Sequence, residues 1–294
     1  MADSSANRES GTPDPAPTLA SDLGLQGVSR TLLIPLYARA HAATLMPRLG
    51  YDDPFARALA ETLRLTVADV GRDRFTMRLC IARSAALQEA LSALLAPERS
   101  AAHGPKRMVV VLACGLDTLP QRLGSGLADW ICADLPEVMA LRDRLLPPVP
   151  GVIHVPAVLP DHLDDVAARL ATGRPVFVLE GVLPYLSPDQ VVQALSALSA
   201  LAPRGADVLV DGYHPALLAF ARLGDGFRRM RVRFRFGLAN TRDYARLAPR
   251  LRHRRVWDLL ARIPLGNRKR CILPAVVAAG RPLATVVQLE VLPT

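Results

Sequence analysis

The sequence predicts an α/β fold built on a mostly parallel, doubly wound sheet, and three observations carry this. Short β-branched apolar runs recur between residues 107 and 212 and alternate with segments of helical period. The first run breaks at a glycine turn, Cys114-Gly115-Leu116-Asp117. Later runs each close on an acid, namely Asp134, Glu180 and Asp211. In an open parallel sheet such strand ends share one edge, where ligands sit beside the point at which strand order reverses.

Residues 1–22 are rich in Ser, Pro and Ala without apolar periodicity, and a disordered tail is expected there. Residues 23–100 read as a helical cap. Thr31 to Tyr37 leads into the helical stretch ARAHAATLM, and Asp52 or Asp53 caps a further helix with Pro54 in its first turn. A longer amphipathic helix within 72–95 has Leu79, Leu87, Leu91, Leu94 and Leu95 as its inner face.

Residues 101–294 form the main domain. Met108 to Ala113 is too short to span a membrane and reads as a buried strand. A short helical turn within Leu119 to Leu127 leads to a second strand, Trp130 to Ala133, which ends on Asp134 about twenty residues beyond the glycine, as in a nucleotide-binding βαβ unit. Val152 to Val155 is a third strand, followed by a helix from Asp161 to Ala171. Pro175 to Leu179 ends at Glu180, and Ser187 caps the helix Gln190 to Leu201 with Pro188 at its first position. Ala206 to Val210 is the fifth strand, ending at Asp211.

An insertion at about 213–250 follows, helical or mixed between Tyr213 and Gly237. Its alternating run Arg228 to Arg235 fits a half-buried strand or lid segment, or an anion-attracting rim. Leu251 to Val256 and Ala284 to Val291 are late strands, the last an edge hairpin partner, while Cys271 to Ala279 fits either strand or helix.

Composition narrows the function classes. Half the residues are hydrophobic, as in a globular enzyme. No apolar leader follows a basic start and no run of about eighteen apolar residues occurs, so neither secretion nor a membrane span is expected. Cys80, Cys114, Cys132 and Cys271 lack metal-ligand spacing, so buried free thiols in a reducing cytoplasm are expected, with no metal site. The net charge of +9 is uneven: residues 221–282 hold 17 Lys+Arg against 3 Asp+Glu, a local +14 that leaves −5 elsewhere. The basic residues are nearly all arginine, since Lys106 and Lys269 are the only lysines. Solvated surface explains the excess first, an anionic substrate or partner second, and nucleic acid last.

The wording of the central unit is more specific. VVVLACGLDTLPQRL followed by ADLPEVMALRDRLLP resembles the leucine carboxyl methyltransferase family of class I S-adenosylmethionine-dependent methyltransferases, in particular its bacterial polyketide O-methyltransferase branch. GVSRTLLIPLYARA (Gly27–Ala40), YDDPFARAL (Tyr51–Leu59) and VLEGVLPYLSPDQV (Val178–Val191) carry the likeness in the same order. The resemblance implies a Rossmann-like class I methyltransferase fold with an N-terminal helical cap and an insertion after strand five.

It also implies a site. Asp134, with Leu135 beside it, would accept hydrogen bonds from the cofactor ribose. The turn Ala113-Cys114-Gly115 would let the backbone approach the methionine moiety, with Asp117 either accepting from its ammonium or only holding the turn through an Asx bond. Arg83 stands where the family clamps the cofactor carboxylate, and Glu180 where it meets the methionine end. Val158 and Leu159 fall at the adenine contact. Tyr37, Arg39, Tyr185 and Tyr213 fall near the substrate, and Tyr185 or His214 is the candidate for proton removal. Three residues depart from the family pattern: Ala113 replaces a glycine, Gln88 an aspartate, and Val158 the acid that meets the adenine amino group. Cofactor binding is therefore expected to be weakened.

The expected function is a cytoplasmic S-adenosylmethionine-dependent O-methyltransferase acting on a carboxylate or phenolic oxygen of a small polyketide-like or aromatic metabolite. The acceptor is expected to be anionic, with no membrane or nucleic-acid partner. The alternatives are a weakened or inactive cofactor-binding protein that acts through a partner, and an N-methyltransferase.

Overall fold

The computed structural model describes residues 23, 31–100, 106–171, 173–221, 233–264, 266 and 272–294; the expected tail at 1–22 lies outside them. Helices α1 (Leu33–Ala40), α2 (Ala42–Leu45), α3 (Pro54–Thr62), α4 (Val67–Val70) and α5 (Arg74–Ser100) precede the sheet. Asp53 caps α3, accepting from Ala56 N at 2.9 Å, with Pro54 at the position where no donor is needed. On α5 the buried stripe is Met77, Cys80, Ile81, Ser84, Leu87, Leu91 and Leu95, while Leu79 and Leu94 lie at its margins. By length and apolarity the stretch Arg74–Ala96 would suffice to cross a bilayer, but 56% of that window is buried inside the fold.

Seven strands form one sheet: β1 (Met108–Leu112), β2 (Asp129–Asp134), β3 (Val152–Pro156), β4 (Val176–Leu179), β5 (Ala206–Tyr213), β6 (Leu251–Asp258) and β7 (Ala284–Val291). Their order is β3-β2-β1-β4-β5-β7-β6, with β1 to β5 parallel and β7 antiparallel to both neighbours. The order reverses between β1 and β4. Successive residues of β1 serve opposite faces: Val109 and Val111 join the core beneath α1 to α5, Val110 and Leu112 the core on the other side. The cap helices and one sheet face thus share a continuous apolar core.

The intervening helices are α6 (Leu119–Leu123), α7 (Pro136–Leu145), α8 (Asp164–Ala167), α9 (Pro188–Leu201), α10 (Pro215–Ala221) and α11 (Ile272–Val277). At α9 Ser187 and Gln190 form a reciprocal capping box. The helix expected from Asp161 to Ala171 shrinks to the four residues of α8, because His162 bridges back to Val158 and its backbone groups are committed there. The stretch that fitted strand or helix is helical over Ile272–Val277.

Two strand assignments change with consequences for the site. β7 is not at the edge but between β5 and β6, and β6 forms the edge. Its polar positions are satisfied internally, since Gln288 donates to Asp207 at 3.1 Å and Glu290 accepts from Arg174 at 2.8 Å. Because β7 pairs along the whole of β5, out to Tyr213 opposite Ala284, Asp211 lies within the strand rather than at its end. Of the arginine-rich run, Arg233 to Arg235 lie in no strand, and residues 222–232 fall outside the described ones.

Candidate active site

A cavity of about 1280 Å³ opens over the carboxyl ends of β1, β2 and β4 and is roofed by α1, α4 and α5. Its floor is the glycine turn. Gly115 has φ +50°, a region that side chains enter only with strain, although an added Cβ would meet nothing closer than Leu32 Cβ at 3.6 Å. Conformation, not space, is what the glycine supplies. Ala113 holds φ +53° without that freedom.

Asp134 ties the turn to β2. One carboxylate oxygen accepts from Gly115 N and the other from Leu135 N, each at 2.7 Å. Burial pushes this carboxyl up, against the pull of those two backbone donors. Each oxygen keeps a lone pair, so a diol can still be met here. Leu135, Ala157, Val158 and Leu159 line the adjoining wall. The Val158 backbone is committed to His162, so this wall offers only apolar side-chain contact at that position.

The second half is ionic. Arg83, on the buried face of α5, donates from Nε to Glu180 Oε1 at 2.9 Å and from Nη1 to Asp211 Oδ2 and Tyr213 Oη, each at 3.0 Å. Ser84 Oγ donates to the same Glu180 oxygen at 3.0 Å. Burial alone would lower the Arg83 pKa; Tyr213, Glu180 and Asp211 more than reverse this and raise it. Glu180 Oε2 is buried without a hydrogen-bond partner, and Arg83 Nη2 has none among the described residues. An orphaned carboxylate oxygen beside an open guanidinium nitrogen is a donor set for a zwitterionic amino-acid end, ammonium on one and carboxylate on the other.

Gly181 makes that juxtaposition possible. Its φ is +68°, and a Cβ there would come within 3.0 Å of Arg83 Nη1. Gly181 and Ser84 escape a reading that looks only at strand-end acids and the glycine turn, and such a reading counts Asp211 as a strand-end acid but gives it no role in the site. The signal for Asp211 was a charge embedded in the apolar run Ala206 to Val210 and its continuation.

The remaining lining is largely apolar and includes Leu32, Pro35, Phe75, Leu79 and Leu217, with Tyr185 stacked on Phe234 at 5.6 Å between ring centres. Burial raises the Tyr185 hydroxyl to about 12, and it bonds to Thr31. Arg72 and Arg235 reach the cavity from exposed positions.

Several expected site residues take other parts. Arg39 is 3% exposed and lines the cavity, but its guanidinium is committed to Asp53 Oδ2 at 3.0 Å, Leu116 O at 2.8 Å and Asp117 at 3.6 Å. It fastens the cap to the glycine turn rather than offering a donor to substrate. Asp117 Oδ1 accepts from Leu119 N at 2.6 Å, and its other oxygen faces Arg39 and Arg122, so it holds the turn as an Asx bond does. Gln88 bonds to Arg122 in the same cluster. Tyr37 does not line the cavity and stacks on His41 at 4.0 Å. His214 is also outside the cavity, and its Nδ1 is taken up by Ala216 N at 3.1 Å, so it is not placed to take a proton from a bound acceptor. Tyr213 lines the cavity but gives its proton to Asp211 at 3.0 Å, so it cannot donate to a substrate. Cys114 forms part of the floor. Among the described residues no group of acids, histidines and cysteines could hold a metal ion.

Comparison with known proteins gives this geometry a context. The profile of the leucine carboxyl methyltransferase family matches residues 33–199. The chain is 30% identical over 246 residues to the tetracenomycin polyketide synthesis O-methyltransferase TcmP of Streptomyces glaucescens, covering 82% of this chain and 87% of that protein. It is 33% identical over 190 residues to the S-adenosyl-L-methionine-dependent methyltransferase dpfgK of Gibberella zeae, covering 60% and 61%. A solved structure from Thermobifida fusca YX shares the fold, with a TM-score of 0.50 at 16% identity over 87% of this chain and 94% of that one.

Proposed function

The chain belongs to the leucine carboxyl methyltransferase family, and we propose that it is an S-adenosylmethionine-dependent methyltransferase whose acceptor atom is an already ionised oxygen on a flat, largely apolar small molecule. The cofactor reading is supported by the orphaned Glu180 Oε2 beside Arg83, a pair suited to the ammonium and carboxylate of a methionine end. Asp134 would hold the ribose, and Leu135, Val158 and Leu159 would flank the base. When bound, S-adenosylmethionine supplies a methyl group activated by its sulfonium.

The chain contributes alignment and exclusion of water. Phe75, Leu79, Tyr185 and Phe234 present apolar and aromatic surface over which a planar acceptor can lie. The observation that carries the oxygen assignment is the lack of a free base in the described lining. His214 is outside the cavity, Tyr185 stays protonated at neutral pH, and the lining carboxylates are engaged: Asp73 caps the start of α5, Asp117 holds the glycine turn, and Asp134 and Glu180 belong to the cofactor half. A carboxylate or an acidic phenol enters as the nucleophile without needing one. Arg72 and Arg235 at exposed positions of the lining favour the approach of such an anion. The likeness to a tetracenomycin polyketide synthesis O-methyltransferase supports a polyketide as the acceptor body.

The test is acceptor profiling with methyl-labelled S-adenosylmethionine against aromatic carboxylic acids, phenols and amines of matched size. The expected products are methyl esters or methyl ethers. Methylation confined to amines would overturn the assignment.

A further inference from the structure

Asp211 is fully buried within β5 and does not line the cavity, yet three donors from the site converge on it. Oδ1 accepts from Gly181 N at 3.0 Å, and Oδ2 accepts from Arg83 Nη1 and from Tyr213 Oη, each at 3.0 Å. Its reach over Arg83 bears on Glu180. Arg83 already gives Nε to Glu180 Oε1, while among the described residues neither Nη2 nor Glu180 Oε2 has a hydrogen-bond partner. Guanidinium and carboxylate prefer a two-bond fork, and these two atoms would complete one. Completing it would consume the Glu180 oxygen that can otherwise meet a ligand ammonium.

We propose that Asp211 is a positioning residue that, by holding Arg83 Nη1 and the Gly181 turn, stops Arg83 from closing a two-bond fork on Glu180 and so keeps Glu180 Oε2 open for the amino-acid end of the cofactor. The proposal rests on the reading that Arg83 and Glu180 receive that end. A carboxylate is suited to the task, because its two acceptor oxygens serve three donors with nothing to donate in return. An amide must turn its NH₂ toward Gly181 N or toward Arg83 and Tyr213, and either choice sets donor against donor.

Two probes isolate the effect. S-Adenosylhomocysteine carries the amino-acid end, whereas 5′-methylthioadenosine has the same nucleoside and thioether without it. In Asp211→Asn, S-adenosylhomocysteine affinity should fall by about tenfold or more while 5′-methylthioadenosine affinity stays unchanged. Where asparagine impairs folding, Asp211→Thr suits the strand, keeps one acceptor and removes the charge, and should show the same selective loss. Affinities that fall together, or that do not change, would overturn the positioning role. A wild-type protein that binds the two probes equally would instead sink the reading of Arg83 and Glu180, and the proposal with it.

Discussion

The guanidinium of Arg142 donates to the Cys132 sulfur across 3.6 Å, and no carboxylate pairs with it among the described residues. The same side chain is fully buried and its Nη1 donates to Gly115 O at 3.1 Å and Asp117 O at 2.6 Å. A buried cation thus clamps the carbonyls of the glycine turn, with the Cys132 sulfur as a further acceptor. The hydrogen bond from Cys114 and then Arg142 and His154 hold the Cys132 thiol well below its ordinary range, against the effect of burial.

Cys132→Ser should therefore destabilise the fold by up to about 3 kcal/mol, because serine stays neutral and removes the negative charge facing Arg142. The folded thiol pKa is depressed, so its contribution to stability is complete above the ordinary thiol pKa of about 8.5 and is lost as pH falls toward the depressed value. The stability gap between wild type and Cys132→Ser should narrow on acidification across that window. Denaturant unfolding at two pH values reads this, and a gap that widens toward acid would contradict the thiolate.

Arg39→Ala should act on folding rather than on acceptor binding. Asp53 is fully buried and relies on Arg39, with Thr118 at 2.6 Å and Arg122 at 3.4 Å completing its surroundings. Removing the main cation from a buried pair costs about 3 kcal/mol or more. A fall in unfolding temperature, accompanied by weaker cofactor binding through the loosened Leu116 carbonyl, is the expected outcome. A raised acceptor KM in an equally stable protein would restore Arg39 to the substrate.

The alanine at 113 gives a prediction of opposite sign. An L-residue at φ +53° carries strain of about 1–2 kcal/mol, while glycine loses about 0.5–1 kcal/mol more conformational entropy on folding. Ala113→Gly should leave stability level or raise it by up to about 1 kcal/mol, as measured by thermal unfolding. A clear loss would mean that the Ala113 methyl contributes packing that outweighs its backbone strain.

Gly181→Ala combines an unfavourable φ of +68° with a Cβ 3.0 Å from Arg83 Nη1. The guanidinium can give way, and the cost then falls on ligand binding. Affinity for S-adenosylhomocysteine should drop by more than the roughly 1–2 kcal/mol lost in stability. Equal affinity in the variant would show that Arg83 is not held where the ligand needs it.

Local signals explain what could be read from the chain and what could not. Ser187-Pro188 with Gln190 announces its helix through capping chemistry that depends on neighbours in sequence. The turn at Gly115 and the acid at Asp134 were legible for the same reason, being punctuation at the ends of apolar runs. Asp211 reads as a strand-end acid on the ligand edge, but its role is not legible there, because it depends on β7 extending β5 to Tyr213 and on donors 30 and 128 residues away. Arg39 misled for a related reason. An arginine near a presumed acceptor pocket looks available until Asp53, Leu116 and Asp117, distant in sequence, are found to occupy it. The four-residue α8 shows the converse, a helical sequence overruled when His162 pairs with Val158.

The central claim is that Glu180 Oε2, buried and unpartnered beside Arg83, receives the ammonium of the cofactor's methionine end. The most direct test is calorimetric titration of wild type and Glu180→Gln with S-adenosylhomocysteine. The amide keeps the size and the Oε1-like acceptor but loses the charge, so affinity should fall by about 2 kcal/mol, a few tens-fold, with thermal unfolding of the free protein little changed. Equal affinities in the two proteins, or no binding by the wild type, would contradict it.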